Sequence, residues 1–136
     1  MTNSRNKGAS FEREVANLLT SSLNLENNVK RILEQTREKH LPDLILGRWY
    51  IECKRYGSGA EPLEAWWQQV LEASRDKGIP ALVYKFNRRP IKVKIPLGAI
   101  NPQLSINSTY TADLLLEDFI YLLKSLYQED IDSNEK

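Results

Sequence analysis

Residues 42–54 read PDLILGRWYIECK, and this stretch decides how the chain folds. Aromatic and β-branched residues dominate its second half, which favours two short strands joined by a tight turn. Gly47 lies at the first central position of that turn, where a type II′ hairpin needs a glycine. The resulting register brings Asp43 directly opposite Glu52.

Side chains alternate between the two faces of a hairpin, so this sequence divides into two sets. The apolar face, which we expect in the core, comprises Leu44, Leu46, Trp49, Ile51 and Cys53. The second face comprises Asp43, Ile45, Tyr50, Glu52 and Lys54. Two opposed carboxylates on that second face destabilise a sheet unless a cation lies between them or one is protonated.

A divalent cation is the simplest explanation for that opposition. Carboxylate oxygens that converge from two strands are the ligands that Mg²⁺ prefers, and Mn²⁺ accepts the same set. We therefore expect Asp43 and Glu52 to bind one of these ions jointly.

The composition is that of a globular protein without disulfides. With 136 residues, 41% hydrophobic and 27% charged, the chain suits one domain with its own core. We expect that domain over residues 1–127, with residues 1–7 and the acidic residues 128–136 disordered. The single cysteine excludes an internal disulfide, and the single histidine excludes a multi-histidine zinc site. No apolar run has the length of a membrane span and no signal peptide begins the chain, so we expect a cytoplasmic protein.

Charge is distributed unevenly along the chain. Residues 1–96 hold 17 Lys and Arg against 11 Asp and Glu, a balance of +6. Residues 97–136 hold 2 against 7, a balance of −5. A basic part that contains the candidate metal site suits a polyanionic substrate, although a solvated surface with an acidic tail would give the same counts.

The spacing of apolar residues predicts a first helix over residues 9–23. Glu12 projects within its apolar arc, whereas Glu14 lies just outside the arc and Arg13 points away. A carboxylate on the buried side of a helix needs a partner, so we expect Glu12 to contribute to the metal site. A solvated position at the edge of the arc is the alternative.

The remaining patterns predict the order α, three strands, α, two strands, α. Beyond the first helix and the hairpin, the expected elements are strand 29–33, helix 62–77, strand 81–86, edge strand 91–95, loop 97–110 and helix 111–127. Trp66 and Trp67 lie on the packing stripe of the second helix, a spacing more typical of core than of base-stacking residues. Gln69 flanks that stripe, whereas Gln68 points away from it.

Three segments carry a resemblance to a known group of proteins. They are KGASFEREVANLL at residues 7–19, the Pro-Asp pair that opens the hairpin, and the Glu-Cys-Lys motif that ends it. With WWQQ following at residues 66–69, the chain resembles the PD-(D/E)XK nucleases, and among them the archaeal Holliday-junction resolvases and small phage-encoded nucleases. The resemblance implies an α/β (α+β) fold with a restriction-endonuclease-like core. That core is a mixed central sheet in αβββαββ order, flanked by helices, and here we expect an extra C-terminal helix.

The resemblance also implies which residues hold the metal. In this superfamily the aspartate and the glutamate of the motif ligate Mg²⁺, a role that falls here on Asp43 and Glu52. The backbone carbonyl of the intervening residue, here Cys53, adds a ligand. The glutamate of the first helix, here Glu12, completes the acidic cluster.

Two further residues of the pattern are implied to serve catalysis. Lys54 orients or helps to activate the attacking water, and Gln69 supports the site. We expect basic residues to hold the flanking phosphates, which sets the position of DNA rather than a sequence preference. The candidates are Arg5, Lys7, Arg13, Arg37, Lys39 and Arg55.

These assignments predict a Mg²⁺-dependent DNA endonuclease that is structure-specific on branched DNA, as in recombination and repair. One alternative is a restriction- or repair-type nuclease on linear duplex DNA, and another is a non-catalytic DNA-binding protein that retains the fold. A third is a structural αβ domain in which Lys54 simply neutralises Glu52. Two symmetric cuts in a junction need two active sites, so the resemblance implies a homodimer.

Overall fold

The structure, a computed structural model, describes residues 4–32, 41–75, 77–106 and 110–136. Its helices are α1 (Ser4–Ser22), α2 (Glu64–Ser74), α3 (Leu116–Leu126) and α4 (Gln128–Ser133), with a short 3₁₀ helix at Leu97–Ala99. Its strands are β1 (Lys30–Arg31), β2 (Leu44–Leu46), β3 (Trp49–Tyr56), β4 (Ile79–Phe86), β5 (Lys92–Pro96) and β6 (Thr111–Leu115). Within those described ranges, no helix combines the length and the apolar character needed to cross a membrane.

The six strands form one mixed sheet in the order β1-β2-β3-β4-β5-β6. Neighbours are antiparallel except for β3 and β4, which run parallel from Trp49 beside Ile79 to Tyr56 beside Phe86. A parallel pair needs a crossover connection, and α2 supplies it. The mixed sheet with helices on both faces confirms the predicted α+β class and restriction-endonuclease-like core.

The predicted hairpin is confirmed at β2 and β3. All three of its strand pairs have the expected register, among them Leu44 with Ile51. Gly47 has φ +58° and Arg48 lies outside the positive-φ region, which is the pattern of a type II′ turn.

The two faces of the sheet are buried under different helices. The main core packs α1, α3 and α4 against the face predicted to be apolar, and all five residues of that face are buried. The second face is covered by α2, whose Trp66 and Trp67 cluster with Leu82 of β4, so both tryptophans are core residues as predicted. Since side chains alternate along β3, Glu52 and Lys54 lie on the face that α2 covers.

Three predictions near the ends of the chain were wrong. Residues 111–115 form strand β6 rather than the start of a helix, because their backbone pairs with β5 along its whole length. β5 is therefore an internal strand and not an edge, and its Lys94 forms an ion pair with Asp113 at 3.7 Å. At the other end of the chain α1 begins at Ser4, so residues 4–7 are helical and not disordered.

Residues 128–136 pack on the rest of the chain through α4, so the expected disordered tail is also wrong. Asp130, which is 3% exposed, accepts the Arg48 N–H at 2.7 Å and forms an ion pair with the Arg48 guanidinium at 2.9 Å. A Cβ on Gly47 would lie 2.5 Å from the Asp130 Cβ, so this contact requires the glycine of the turn. Glu135 accepts two backbone N–H groups of the segment after α1 at 2.7 and 3.0 Å.

Candidate active site

The sheet has a notch where the ladder between β2 and β3 ends. β2 begins at Leu44, whereas β3 continues past Ile51 as far as Tyr56. In this notch the Asp43 side chain takes the place of a strand partner, because its Oδ2 accepts the Cys53 N–H at 2.8 Å. An aspartate that is only 6% exposed is thereby held level with the Glu-Cys-Lys motif of β3.

Glu52 enters the notch from the face that α2 covers. It pairs with Leu82 of β4 and is 4% exposed. Gln69 of α2 donates from Nε2 to Glu52 Oε1 at 3.3 Å. The other oxygen, Oε2, is buried and has no hydrogen-bond partner in the described part of the chain. A buried carboxylate oxygen without a donor is costly, so this atom is a candidate ligand for a cation.

Glu12 reaches Asp43 from α1, on the opposite face of the sheet. Its neighbours at helical spacing, Val15 and Ala16, are core residues, which places Glu12 at the buried side of the helix as the sequence predicted. The Glu12 carboxyl is half-buried and lies close enough to Asp43 for the Asp43 charge to raise its pKa. Asp43 therefore links the glutamate of α1 with Glu52 of β3.

Burial and mutual repulsion raise the pKa of both glutamates. Burial is the largest cause at Glu52, followed by the Asp43 charge, and together they raise its pKa to about 9. The same two causes raise the pKa of Glu12 to about 7. Lys54 opposes the shift at Glu52, and Arg31 opposes it at Glu12. At neutral pH the cation-free site therefore retains protons that a divalent cation would displace.

The donor atoms at the notch suit a hard divalent cation between Asp43 and Glu52. The Cys53 carbonyl points to the same side of β3 as its N–H, toward Asp43, because both groups of a strand residue face one neighbour. In the described ranges, no group of three or more His, Cys, Asp or Glu side chains is arranged to hold a metal ion. The residues present thus fit Mg²⁺ or Mn²⁺ at the Asp43–Glu52 pair.

The cation-free protein should lose stability as the pH rises from about 5 to about 9. A glutamate ionises near pH 4.5 in the unfolded chain, but burial raises the pKa of Glu52 in the folded chain to about 9. Over that interval the unfolded state releases its proton first, so the free energy of unfolding falls and stays low above it. Chemical denaturation in EDTA across this range measures the effect, which should be smaller in Glu52→Gln. A Glu52→Gln variant with the wild-type pH profile would contradict the raised pKa.

Two cationic side chains border the carboxyls. Lys54 lies two residues after Glu52 on the same face of β3, beside Tyr84 of β4. Arg31, which the sequence patterns did not single out, pairs with Leu44 in β1, and its buried Nε has no hydrogen-bond partner in the described structure. Its place follows from the register of β1 against the hairpin.

The implied catalytic set comes together in the structure. Glu12 and Glu52 both lie beside Asp43, and Lys54 follows Glu52 by two residues on the same strand face. Gln69 reaches Glu52, whereas Gln68 bonds Glu64 on the exposed side of the same helix at 2.9 Å, as the helical phase predicted.

The predicted DNA-binding residues are only partly described. Arg13 is exposed and bonds Ser10 Oγ at 3.3 Å, and Arg55 donates to the Tyr56 carbonyl at 2.8 Å. Neither guanidinium bonds the carboxyls in the described structure, so both keep donors for other partners. The other predictions fall on side chains outside the described structure, namely Arg5, Lys7, Arg37 and Lys39.

A scan against protein families matches residues 3–128 to the family described as "Phage putative PDDEXK endonuclease". Searches of curated proteins and of solved structures found no match. The family match spans the whole notch and well over half of the chain, and it confirms the predicted relation to phage-encoded PD-(D/E)XK nucleases. The chain therefore belongs to the phage PDDEXK endonuclease family.

Proposed function

We propose that this chain is a Mg²⁺-dependent endonuclease that hydrolyses phosphodiester bonds in DNA, with Mn²⁺ as a substitute ion. The observation that carries the proposal is the Glu52 carboxyl group, which is buried beside Asp43 and has one oxygen without a hydrogen-bond partner among the described residues. Two carboxyls at 4% and 6% exposure destabilise each other, and a non-catalytic DNA-binding protein would have no use for that contact. The non-catalytic alternative is therefore the weaker one.

The side chains of the notch would have different roles in hydrolysis. Asp43 and Glu52 would hold the cation together with the Cys53 carbonyl, and Glu12 would adjoin them from α1. When bound, the cation supplies polarisation of the scissile phosphate and a lower pKa of water in the site. Lys54 supplies a second positive charge on the same strand face, where it orients the attacking water and offsets negative charge in the transition state. No side chain bonds covalently to the substrate in this scheme.

Gln69 should affect cleavage through Glu52. We expect Gln69→Ala to lower the single-turnover rate by about tenfold, the scale seen for residues that orient a metal ligand. The reason is the hydrogen bond from Gln69 to Glu52 at 3.3 Å, which holds one carboxylate oxygen in place. Gln68→Ala is the matched control, because Gln68 bonds Glu64 on the other side of the helix. Equal rates for the two variants at saturating DNA would show that Gln69 has no such role.

We further propose branched DNA as the substrate and a homodimer as the active form. The support is the resemblance of α1 and of the hairpin motif to those of junction resolvases, together with the need for two sites to make two symmetric cuts. α3 leaves Tyr121 and Leu126 exposed at 73% and 57%, and a second copy could cover these apolar side chains.

A side-by-side cleavage assay tests this function. A labelled four-way junction, a flap, a linear duplex and a single strand of related sequence are each incubated with Mg²⁺, Mn²⁺ or EDTA. We expect cutting only with metal, fastest on the junction, and none by Glu52→Gln. Equal cutting of junction and linear duplex would favour a restriction- or repair-type nuclease. Binding without cutting in either ion would favour the non-catalytic alternative.

A further inference from the structure

A separate feature lies at the carboxyl ends of the parallel strands, where there is an open pocket of about 590 Å³. One wall is formed by residues 57–59, which follow β3, and the other by residues 87–90, which follow β4. The two strands are still paired at their last residues, Tyr56 beside Phe86. The pocket therefore lies where β3, the strand that carries Lys54, leaves the sheet.

Glycine and backbone contacts hold the two walls close together. Gly59 has φ +131°, and a Cβ there would lie 2.7 Å from the Phe86 ring, so this position requires a glycine. Asn87 donates its N–H to the Gly57 carbonyl at 3.2 Å. Arg88 has φ +64°, a left-handed conformation that is unfavourable for a residue with a side chain and that often marks functional loops.

The lining of the pocket is basic and polar. Arg88 and Arg89 are exposed, and the seven lining residues include no Asp or Glu. Among the described residues, neither guanidinium takes part in a hydrogen bond or an ion pair. Ser58 and Asn87 add side-chain donors to the same walls. Two available guanidinium groups beside such donors form the kind of site that binds phosphate.

We propose that this pocket binds a backbone phosphate of the DNA a few nucleotides away from the scissile phosphate. Gly57 follows Lys54 by three residues of extended chain, about 10 Å, which corresponds to about three base pairs along the axis of B-DNA. A phosphate held there sets the register of the DNA on the notch without reading its sequence. The inference rests on the proposed function and adds Arg88 and Arg89, which the sequence patterns did not select, to the DNA-binding surface.

The salt dependence of DNA binding tests whether the pocket binds a phosphate. The double variant Arg88→Gln/Arg89→Gln is compared with Lys77→Gln/Lys136→Gln, which loses the same charge at exposed sites before β4 and after α4. Binding of a labelled junction is followed by anisotropy in Ca²⁺, which should support binding without turnover. We expect the slope of log K against log salt to fall by about one to two in the arginine variant and to stay at the wild-type value in the lysine variant.

Neutralising the DNA phosphates one at a time identifies the phosphate that contacts the pocket. Neutral methylphosphonates are placed one at a time along each strand, beside the cut site and up to five nucleotides away. We expect one position at which neutralisation weakens binding by wild type but has no further effect on the arginine variant, since each change removes the same contact. Additive losses at every position would overturn the proposal.

The outcomes separate this inference from the function on which it rests. If wild type cuts DNA with Mg²⁺ and both double variants share one salt slope, the pocket proposal alone is overturned. If wild type neither binds nor cuts DNA, both proposals fail. If the pocket instead binds a free nucleotide, calorimetric titration with a nucleoside monophosphate should give binding heat with wild type but not with the arginine variant. The salt slope of DNA binding would then be the same in both proteins, and that result also overturns the proposal.

Discussion

Lys54→Met should lower the single-turnover rate of DNA cleavage by about 10²- to 10³-fold, the effect of removing one preorganised charge stabiliser. Lys54 lies on the same face of β3 as Glu52 and lowers the pKa of that carboxyl by its charge. Among the described residues its ammonium makes no hydrogen bond or ion pair, so the fold does not depend on it. Methionine keeps the aliphatic stem and removes only the charge.

Lys85→Met is the matched control for this change. Lys85 is also a half-buried strand lysine, on β4, but it lies beside Arg55 rather than in the notch. We expect its cleavage rate to remain near that of wild type, and the DNA affinity of both variants in Ca²⁺ to stay within a few-fold. If Lys54→Met cuts at the wild-type rate once saturated with DNA, Lys54 is a phosphate anchor and not a catalytic residue.

Asp43→Asn should abolish metal-dependent cleavage while it stabilises the cation-free protein. Asp43 raises the pKa of both Glu12 and Glu52, so removal of its charge removes a repulsion that the folded state alone experiences. Asparagine keeps a side-chain oxygen that can accept the Cys53 N–H. A ligand that binds only the native state raises the free energy of unfolding by about 2.7 kcal/mol at 100 times its Kd. The variant should lose this stabilisation by metal and the rise in Tm that comes with it.

Thermal unfolding with EDTA and with excess Mn²⁺ measures both effects. Asp113→Asn is the control, because Asp113 accepts a hydrogen bond from Tyr84 and pairs with Lys94, away from the notch carboxyls. That variant should lose stability and keep the response to Mn²⁺. An Asp43→Asn protein that is less stable without metal and still responds to Mn²⁺ would mean that Asp43 has a structural role only.

Those parts of the site that depend on local sequence could be predicted. Period-two alternation and the glycine at Gly47 specify the hairpin register, and the register places Asp43 beside Glu52. Helical phase predicted that Glu12 lies at the buried side of α1 and that Gln69 flanks the stripe of α2. Each of these placements needs only a few neighbouring residues.

Contacts between distant segments could not be predicted in the same way. Asp130 bonds Arg48 across 82 residues, and nothing in an acidic run distinguishes a buried aspartate from a solvated one. β6 exists because it pairs with β5, whereas residues 111–115 alone suit a helix start as well as a strand. Composition alone therefore does not show which polar side chains are buried.

The basic pocket could not be predicted from the sequence for the same reason. Its walls, residues 57–59 and 87–90, each have the composition of an ordinary turn. They meet because β3 and β4 are parallel and end level with each other, with Tyr56 beside Phe86. Arg31 is brought to the notch by the similar pairing of β1 with β2.

Titration calorimetry of Mn²⁺ into the cation-free protein is the most direct test of the shared metal site. We predict one ion per wild-type chain, with proton release because the raised pKa values of Glu12 and Glu52 leave protons to be displaced. Asp43→Asn and Glu52→Gln should each lose this binding, whereas Gln68→Ala should retain it. Wild-type affinity for Mn²⁺ in both carboxyl variants would contradict a site shared by Asp43 and Glu52.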